Sequence, residues 1–388
     1  MVAPTPYFSD RGCHVRIFEE ARALIDQGHH VSICTYHLGR DLDGIPTYRI
    51  MNIPWYSKQT AGPSWHKPYL DILLFFKTWK VARKLRPDIL HAHLHEGAFI
   101  SFFLKILLKV PMIFDCQGSL VGELVDHGFI RKKSLLYRAF YSLEKQIYRW
   151  SDLIYTSSTP LTDLLRNQFK LEPEKVLSFC DGVDVARFRP GLAGKKLRRE
   201  WGLPSDQLIA VYLGAMTEYQ GLDILLEAIL SMKGSIAMHF LVMGYPEDQY
   251  IAKAAQLGIA HRVTFTGRID YFRAPEYLGL GDIAVSPKLS QTEANGKLLN
   301  YLACGLPTVV FDTPVNREIL GDAGVYAERD SAADFAKKIM LVAEDPVTRK
   351  KLSRAARKRA VDMFSWDIIA CRMTDSYQEN ILKPLKAS

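Results

Sequence analysis

The chain has 388 residues, more than the roughly 250 to 300 that one hydrophobic core organises, so its length predicts two domains that face a cleft. Hydrophobic residues make up 48% of the chain and charged residues 24%, which excludes a disordered or fibrous protein. Residues 51–150 hold 15 Lys and Arg against 7 Asp and Glu, an excess equal to the net charge of +8, so the basic surface is local.

The first half of the chain alternates short β-rich runs with amphipathic helical runs, the pattern of a parallel sheet covered by helices. Residues 1–12 lack a basic stretch before an apolar run, so we expect no signal peptide and a cytoplasmic location. The clearest helix spans residues 12–27 and ends at Gly28. Predicted strands occupy residues 1–4, 31–35, 48–53, 89–92, 112–115, 153–157 and 175–179.

The basic region of residues 51–150 interleaves aromatic with basic side chains. These residues are Trp55, Trp65, Phe75, Phe76, Trp79, Lys77, Lys80, Arg83, Lys84 and Arg86. Such a mixture is typical of a helix that lies on an anionic membrane. A core helix with a solvated basic edge would show the same residue pattern, so both interpretations stay open. No recognised nucleic-acid motif accompanies the charge, so we expect no nucleic-acid partner. The most apolar stretch, residues 98–114, contains two lysines and predicts no transmembrane segment.

His91, His93 and His95 form an H-x-H-x-H series, and alternate residues of a strand share a face, so the spacing is compatible with a metal site. No clear carboxylate or cysteine partner completes such a site in the sequence. The six cysteines are scattered without a C-x-x-C pair, which argues against structural zinc and disulfides. We therefore predict structural or acceptor-facing histidines and no metal.

The alternation of strands and helices restarts after a turn-rich connector, residues 181–191, which contains a proline and two glycines. This restart predicts a second doubly wound domain. Its predicted strands occupy residues 208–213, 238–243, 263–266, 283–286 and 308–311. We expect the chemistry in the cleft, where the carboxyl ends of the strands of both halves face each other.

The densest candidate site is residues 286–310, where a strand is followed by a polar loop and then a helix. A helix N-terminus offers free N–H donors and the positive end of a dipole, which could hold a diphosphate. The amides at this position belong to Gly296, Lys297 and Leu298, and we expect Asn295 next to them to bind donor as well. Glu293 could accept sugar hydroxyls, but simple capping by Thr292 or Asn295 explains the same loop.

Five motifs occur along nearly the whole chain in a fixed order. They are GHHV at 28–31, GVDVARFRP at 182–190, RVTFTGR at 262–268, ACGLPTV at 303–309 and FSW at 364–366. In this order the chain resembles the retaining glycosyltransferases of family 4. The resemblance implies the GT-B fold, with an acceptor-side domain at 1–183, a donor domain at 184–365 and a final helix, 366–388, that packs back on the first. It also implies a UDP- or GDP-sugar donor, a hydroxyl acceptor and no metal.

The donor-site motifs depart from the family pattern at several positions. Asn300 stands where the family has a second glutamate, although an amide can still hydrogen-bond the ribose hydroxyls. The run that begins at Gly214 has Ala215 and Gln220 where the family has the arginine and lysine that bind the diphosphate. The turn that ends at Arg268 resembles the one whose backbone contacts the base.

Two further departures lie in the first half. Arg11 and Gly12 stand where the family has two glycines, and Gly12 allows close backbone approach to a phosphate. We predict that Arg11, Lys288 and Lys297 replace the missing cations. The alternative is that Arg11 is a solvent-facing cap residue and that the two lysines are ordinary surface charges.

Gln117 occupies the place of the family's histidine near the donor sugar, and an amide cannot act as a general base. Asp115 or Glu123 is expected to orient the acceptor, or Asp115 simply caps the following helix. Catalysis would then rest on positioning and on stabilising the departing diphosphate. The rival hypotheses are a non-catalytic GT-B protein that binds sugar nucleotides and a GT-B epimerase.

Overall fold

The computed structural model describes residues 1–10, 12–58, 64–126, 129–132, 134–192, 194–232, 234, 236–291 and 293–383. The chain divides into two compact units, Met1–Asp181 together with Trp366–Ser388, and Gly182–Ser365. Each unit has its own buried core and its own sheet.

The first unit is built on seven parallel strands in the order β3-β2-β1-β4-β5-β6-β7. The strands are β1 (Val2–Ala3), β2 (Ile33–Thr35), β3 (Thr47–Arg49), β4 (Leu90–His93), β5 (Met112–Cys116), β6 (Leu153–Thr156) and β7 (Val176–Ser178). The helices are α1 (Gly12–Asp26), α2 (Lys67–Leu85), α3 (Leu94–Leu108), α4 (Leu120–Asp126), α5 (Leu135–Trp150) and α6 (Thr159–Phe169). Strands that are buried on both faces contain continuous runs of mostly apolar residues. Such runs are the pattern from which the sequence predicted the strands of this unit.

The second unit has six parallel strands in the order β10-β9-β8-β11-β12-β13. They are β8 (Leu208–Leu213), β9 (Met238–Met243), β10 (Val263–Phe265), β11 (Ile283–Ser286), β12 (Thr308–Phe311) and β13 (Gly324–Ala327). The helices are α7 (Lys195–Glu200), α8 (Leu222–Ser231), α9 (Asp248–Gln256), α10 (Ala274–Leu278), α11 (Lys297–Ala303), α12 (Pro314–Leu320), α13 (Ala332–Glu344) and α14 (Pro346–Met363). The sequence did not predict β13, because this edge strand begins at a glycine and is mostly half-buried.

The last helix, α15 (Trp366–Tyr377), returns to the first unit and packs on α1. Trp366, Met373 and Tyr377 share a buried apolar cluster with Leu24 of α1 and Tyr155 of β6. Helix α1 is therefore covered on more than the one face that its apolar pattern predicted. Its buried residues include four polar ones, His14, Arg16, Glu19 and Glu20.

In both units the strand order reverses next to the first strand, between β1 and β4 and between β8 and β11. Ligands of doubly wound sheets bind outside the carboxyl ends of the strands at this switch point. The segments that follow β8 and β11 are 214–221 and 287–296, which contain the predicted donor residues Gly214, Lys288, Asn295 and Gly296. Among the helices described, none is long and apolar enough to cross a bilayer.

Candidate functional site

The loops after β8 and β11 are in direct contact at the switch point of the second unit. Gly221 has a φ of 73°, and a Cβ on it would lie 2.1 Å from the carbonyl oxygen of Pro287. Only glycine permits this approach, because any side chain would collide with the neighbouring backbone. The contact brings segments 214–221 and 287–296 together into one surface.

Lys297 reaches from the start of α11 into the loop that follows β8. Its Nζ donates to Gln220 Oε1 at 2.7 Å and to Tyr212 Oη at 3.2 Å, and it lies 4.3 Å from the centre of the Tyr212 ring. A Cβ on Gly214 would lie 2.7 Å from the same Nζ, so the glycine leaves room for the ammonium. Burial, with Lys288 as a second positive charge nearby, lowers the pKa of Lys297 well below its usual value.

Lys288 and Glu293 form an ion pair in the loop after β11. Lys288 is buried, and its Nζ lies 2.9 Å from Glu293 Oε2 and donates to the Ala294 carbonyl at 2.7 Å. The Glu293 side chain stays 47% exposed, so one face of its carboxylate is open to solvent. Lys288 is thus not an ordinary surface charge. It fixes the orientation of Glu293.

The turn that opens α11 differs in part from the predicted anion site. Gly296 is the N-cap residue and has no side-chain cap, so capping by the Asn295 side chain is not what forms this helix start. The N–H of Leu298 donates to the Asn295 carbonyl at 2.9 Å, because the turn is tight, and Leu298 is fully buried. The predicted Leu298 contact with a diphosphate is therefore replaced by a turn hydrogen bond. Thr292 lies outside the described residues.

Asn295 is predicted to bind donor but is 2% exposed. Its Nδ2 donates to Ser286 Oγ and to Asn316 Oδ1, both at 3.1 Å. These bonds tie the loop to the end of β11 and to α12. The Asn295 side chain therefore positions the loop, and Asn300 lies half-buried one turn further along α11.

Arg268 follows β10, at the edge of the same group of loops. Its guanidinium lies 5.5 Å from the centre of the Tyr245 ring. The turn before it contains Gly267, with a φ of 67°, and the Gly244 N–H donates to the Gly267 carbonyl at 3.0 Å. The predicted base-contacting turn thus lies beside the loop after β9.

The first unit contains a buried charged cluster that the sequence did not predict. Arg16 of α1 donates from Nε and Nη2 to the two oxygens of Asp115 at 2.9 and 2.7 Å, and from Nη1 to Asp181. Arg16 is 4% exposed and Asp115 is 0% exposed. The sequence around Arg16 could not reveal this pairing, because the two carboxylate partners lie about 100 and 165 residues away along the chain.

Asp115 and Gln117, both predicted to act in catalysis, are linked at the end of β5. Burial alone would raise the pKa of Asp115, but Arg16 and the hydrogen bond from His93 hold that pKa well below its usual range. Gln117 is half-buried and donates from Nε2 to Asp115 Oδ2 at 3.0 Å. Asp115 has no exposed surface for an acceptor, and it does not cap the next helix. The structure supports a positioning role for it, through Gln117.

Two other predicted positions lie near the start of α1 and in α4. Gly12 is exposed, and a Cβ on it would meet no atom within 4 Å. The open space is compatible with a close ligand but does not require glycine for packing. Arg11 and the side chain of Glu123 lie outside the described part of the structure.

Two solved structures that are similar to this chain in fold support the same architecture. Sucrose-phosphate synthase from Thermosynechococcus elongatus superposes with a TM-score of 0.82 and 18% identity, over 100% of this chain and 96% of that one. HepE from Anabaena, solved in complex with UDP-glucose, gives a TM-score of 0.76 and 15% identity over 97% and 98% of the two chains. Two doubly wound parallel domains of this kind define the class of GT-B glycosyltransferases.

Sequence comparison assigns the chain within that class. Residues 11–180 match the "Glycosyl transferase 4-like domain" and residues 194–359 the "Glycosyl transferases group 1" domain. The chain belongs to the family 4 glycosyltransferases, which transfer a sugar from a nucleotide sugar. D-inositol 3-phosphate glycosyltransferase of Geodermatophilus obscurus is 25% identical over 92% of this chain and 82% of its own length. The same-named enzyme of Streptomyces avermitilis is 29% identical over 60% of this chain, a match that spans 53% of that relative.

Proposed function

We propose that this chain transfers a hexosyl group from a UDP- or GDP-sugar to a hydroxyl acceptor, with retention at the anomeric carbon. The observation that carries the proposal is the position of Lys297. Its ammonium lies on Gln220, the residue that stands in place of the family's diphosphate-binding lysine. The positive charge at this position is thus supplied by Lys297 of α11 and not by a residue of the loop after β8.

The charges of the donor loops suit a diphosphate. Lys297 donates to neutral oxygens and to no carboxylate among the described contacts, so an anionic ligand would be its first full charge partner. The amides of Gly296 and Lys297 stand at the start of the helix, beside this ammonium. Negative charge grows on the diphosphate as the sugar leaves, and preorganised donors of this kind stabilise it.

Glu293 would orient the hexose. Its carboxylate is held by Lys288 on one side and is open on the other, which lets it accept from sugar hydroxyls without rotating freely. Gln117, held by Asp115, would contribute a neutral amide to the sugar or acceptor. The UDP-glucose bound by HepE and the inositol phosphate named for the relatives support a nucleotide hexose donor and a hydroxyl acceptor for this chain.

Replacing Glu293 by Gln tests the role of this carboxylate. Loss of its charge should slow transfer by roughly 100- to 1000-fold, because it acts on the hexose as the bond breaks. Affinity for UDP or GDP, measured calorimetrically, should not change, since neither nucleotide contains the hexose. Glu276→Gln, which alters an exposed glutamate of α10, is the matched control. Transfer by Glu293→Gln at the parental rate would refute the assignment.

The products separate the three hypotheses. A panel of UDP- and GDP-sugars is first ranked by the rise in melting temperature that each causes, because a ligand of the folded state stabilises it. The best donor is then incubated with and without hydroxyl acceptors. Free nucleotide with a glycosylated acceptor supports transfer, an epimerised sugar nucleotide supports an epimerase, and an unchanged donor supports a non-catalytic binding protein.

We further propose that helices α2 and α3 bind an anionic membrane surface, which would give access to a lipid-linked acceptor. Phe76 is 56% exposed, and a groove beside it is lined also by Trp79, Lys80, Arg83 and Lys84. The Arg83 guanidinium stacks 5.2 Å from the centre of the Trp79 ring. Helix α3, which packs on α2, adds Phe103, Ile106 and Leu107 as exposed apolar residues. Apolar and basic side chains mixed in this way suit a lipid headgroup region.

Vesicle flotation tests this surface. The protein should float with vesicles that contain anionic phosphatidylglycerol and not with neutral phosphatidylcholine vesicles. The triple variant K80E/R83E/K84E should lose at least about 3 kcal/mol of binding free energy, since each basic residue near the surface contributes about 1 kcal/mol. The matched control K350E/K351E/R354E makes the same charge change on exposed residues of α14. Equal flotation of both variants would contradict the proposal.

A further inference from the structure

Three side chains of the first unit direct unsatisfied polar atoms at one buried point. Glu20 of α1 and His91 and His93 of β4 are 1%, 5% and 0% exposed. One ligand atom from each lies within 4.8 Å of the others. Among the described residues, neither oxygen of Glu20 nor the Nε2 atoms of the two histidines has a hydrogen-bond partner. Buried polar atoms of this kind are costly unless something binds them.

The hydrogen bonds at the Nδ1 atoms of the two histidines determine which tautomer each ring adopts, and therefore whether its Nε2 presents a lone pair to the other ligand atoms. Asp115 is ionised beside Arg16 and can only accept, so the Nδ1 of His93, 3.0 Å from Asp115 Oδ2, carries the proton. Its Nε2 therefore presents a lone pair. His91 Nδ1 is 2.9 Å from Tyr377 Oη, which leaves its Nε2 directed at Glu20. Burial lowers the pKa of both histidines, which keeps the rings in the neutral form that ligates metals.

The charges around the point favour a cation. Arg16 contacts three carboxylates, those of Asp115, Asp181 and Glu20, the last at 3.8 Å from Nε. With Glu20 ionised, these four side chains carry one positive charge and three negative charges. A divalent cation would make the cluster neutral.

We propose that Glu20, His91 and His93 bind one divalent transition-metal ion, with zinc as the best match to two imidazoles and a carboxylate. Ligands about 2.0 to 2.1 Å from a tetrahedral zinc ion lie about 3.3 Å apart. His91 Nε2 and Glu20 Oε1 already have this separation, 3.3 Å. The bond from His93 Nδ1 to Asp115 is the carboxylate–histidine arrangement that orients metal ligands.

The sequence predicted no metal because no carboxylate or cysteine partner for the histidines was evident, and the structure supplies such a partner. The missing carboxylate is supplied by Glu20, from a helix 71 residues before His91. His95 is not part of the group, because the chain turns into α3 at Leu94, which has a φ of 61°. Its Nε2 lies 3.2 Å from Tyr148 Oη instead. The metal would join α1 to β4 beneath α15, as a structural element separate from the donor loops of the second unit.

Metal content and stability test the proposal independently of transfer activity. The full chain, purified without chelator, should contain about one zinc per molecule by mass spectrometry. Removal by a chelator should lower the melting temperature by several degrees, and ZnCl2 alone should restore it. Co2+ in place of zinc should give the visible absorption of a tetrahedral site. A wild-type protein without bound metal, whose melting temperature ZnCl2 does not change, would overturn the inference.

The variant Glu20→Gln distinguishes metal binding from a proton shared between Glu20 and a histidine. It should retain less than about one fifth of the metal, because a neutral amide is a poor zinc ligand. His30→Gln, at an exposed histidine, is the matched control and should keep the full content. If Glu20→Gln folds with metal content equal to wild type, the site is wrong. Should Glu20→Gln fail to fold, the chelator and ZnCl2 titration of the wild type decides alone.

Discussion

The charged groups at the carboxyl ends of the two sheets are held in opposite ways. In the first unit Arg16 and Asp115 are 4% and 0% exposed and fully paired with each other and with neighbouring groups. In the second unit Glu293 is 47% exposed, and Lys297 has only neutral oxygens as described partners. Ion pairs that are buried on both sides fix geometry, whereas partly satisfied charges are available to a ligand.

This difference fits the proposal that the second unit carries the donor contacts and that the first unit is preorganised. On this proposal, a ligand at the first unit would meet Gln117, a neutral group held in place by a buried carboxylate. A ligand at the second unit would meet the charged groups directly. Substitutions in the two clusters should therefore separate stability from affinity.

The largest expected effect is on stability, from Arg16→Leu. The variant leaves Asp115 and Asp181 without their cation, and breaking a buried pair from one side costs about 3 to 5 kcal/mol. Urea unfolding measures the loss. Arg273→Leu, which breaks an exposed pair with Glu276, should cost at most about 1 kcal/mol. Similar losses for both variants would show that the buried cluster is not a stability element.

Acid unfolding gives a second test of the stability contributed by the Arg16–Asp115 pair. Since the pKa of Asp115 is lowered on folding, its contribution to stability is present above its unfolded value of 3.8 and is lost as the pH falls toward the folded value. The free energy of unfolding should therefore decrease on acidification below about pH 5. Arg16→Leu should show a shallower decrease, and an identical slope in both proteins would contradict this assignment.

A smaller effect is expected on donor affinity from Lys297→Met. Loss of one charge-assisted phosphate contact should weaken nucleotide diphosphate binding by roughly 1.5 to 3 kcal/mol, about 10- to 100-fold. Stability should change little or rise, because a half-buried positive charge with only neutral oxygens as described partners is removed. Lys105→Met, which breaks an ion pair with Asp152 in the first unit, serves as the control. Unchanged affinity for UDP and GDP would remove Lys297 from the donor site.

The smallest effect is a pH dependence of donor binding. Burial lowers the pKa of Lys297 in the free protein, and a bound diphosphate would raise it, so binding takes up a proton between the two values. Affinity should fall as the pH rises through that window, by less than about tenfold per pH unit. Calorimetry in buffers of different ionisation enthalpy measures the proton uptake. Its persistence in Lys297→Met would assign it to another group.

The sequence predicted the strands well and the buried polar groups poorly, for physical reasons. Runs of mostly apolar or β-branched residues predicted twelve of the thirteen described strands, and the strand that was missed, β13, begins at a glycine. Glu293 and Lys297 stood out because they follow β11. Arg16 and Glu20 did not stand out, because their partners come from β4, β5 and the residues just before Gly182. Pairing between residues so far apart in the sequence leaves no recognisable pattern near either residue.

The order of the chain has a consequence for biosynthesis. Unit Gly182–Ser365 is inserted between the two pieces of the other unit, and Trp366, Met373 and Tyr377 complete the core beside α1. On the ribosome the inserted unit is made in full while the earlier one still lacks its last helix. Until α15 emerges, Leu24 and Tyr155 stay uncovered, and the nascent amino-terminal portion exposes an apolar surface that a chaperone would recognise.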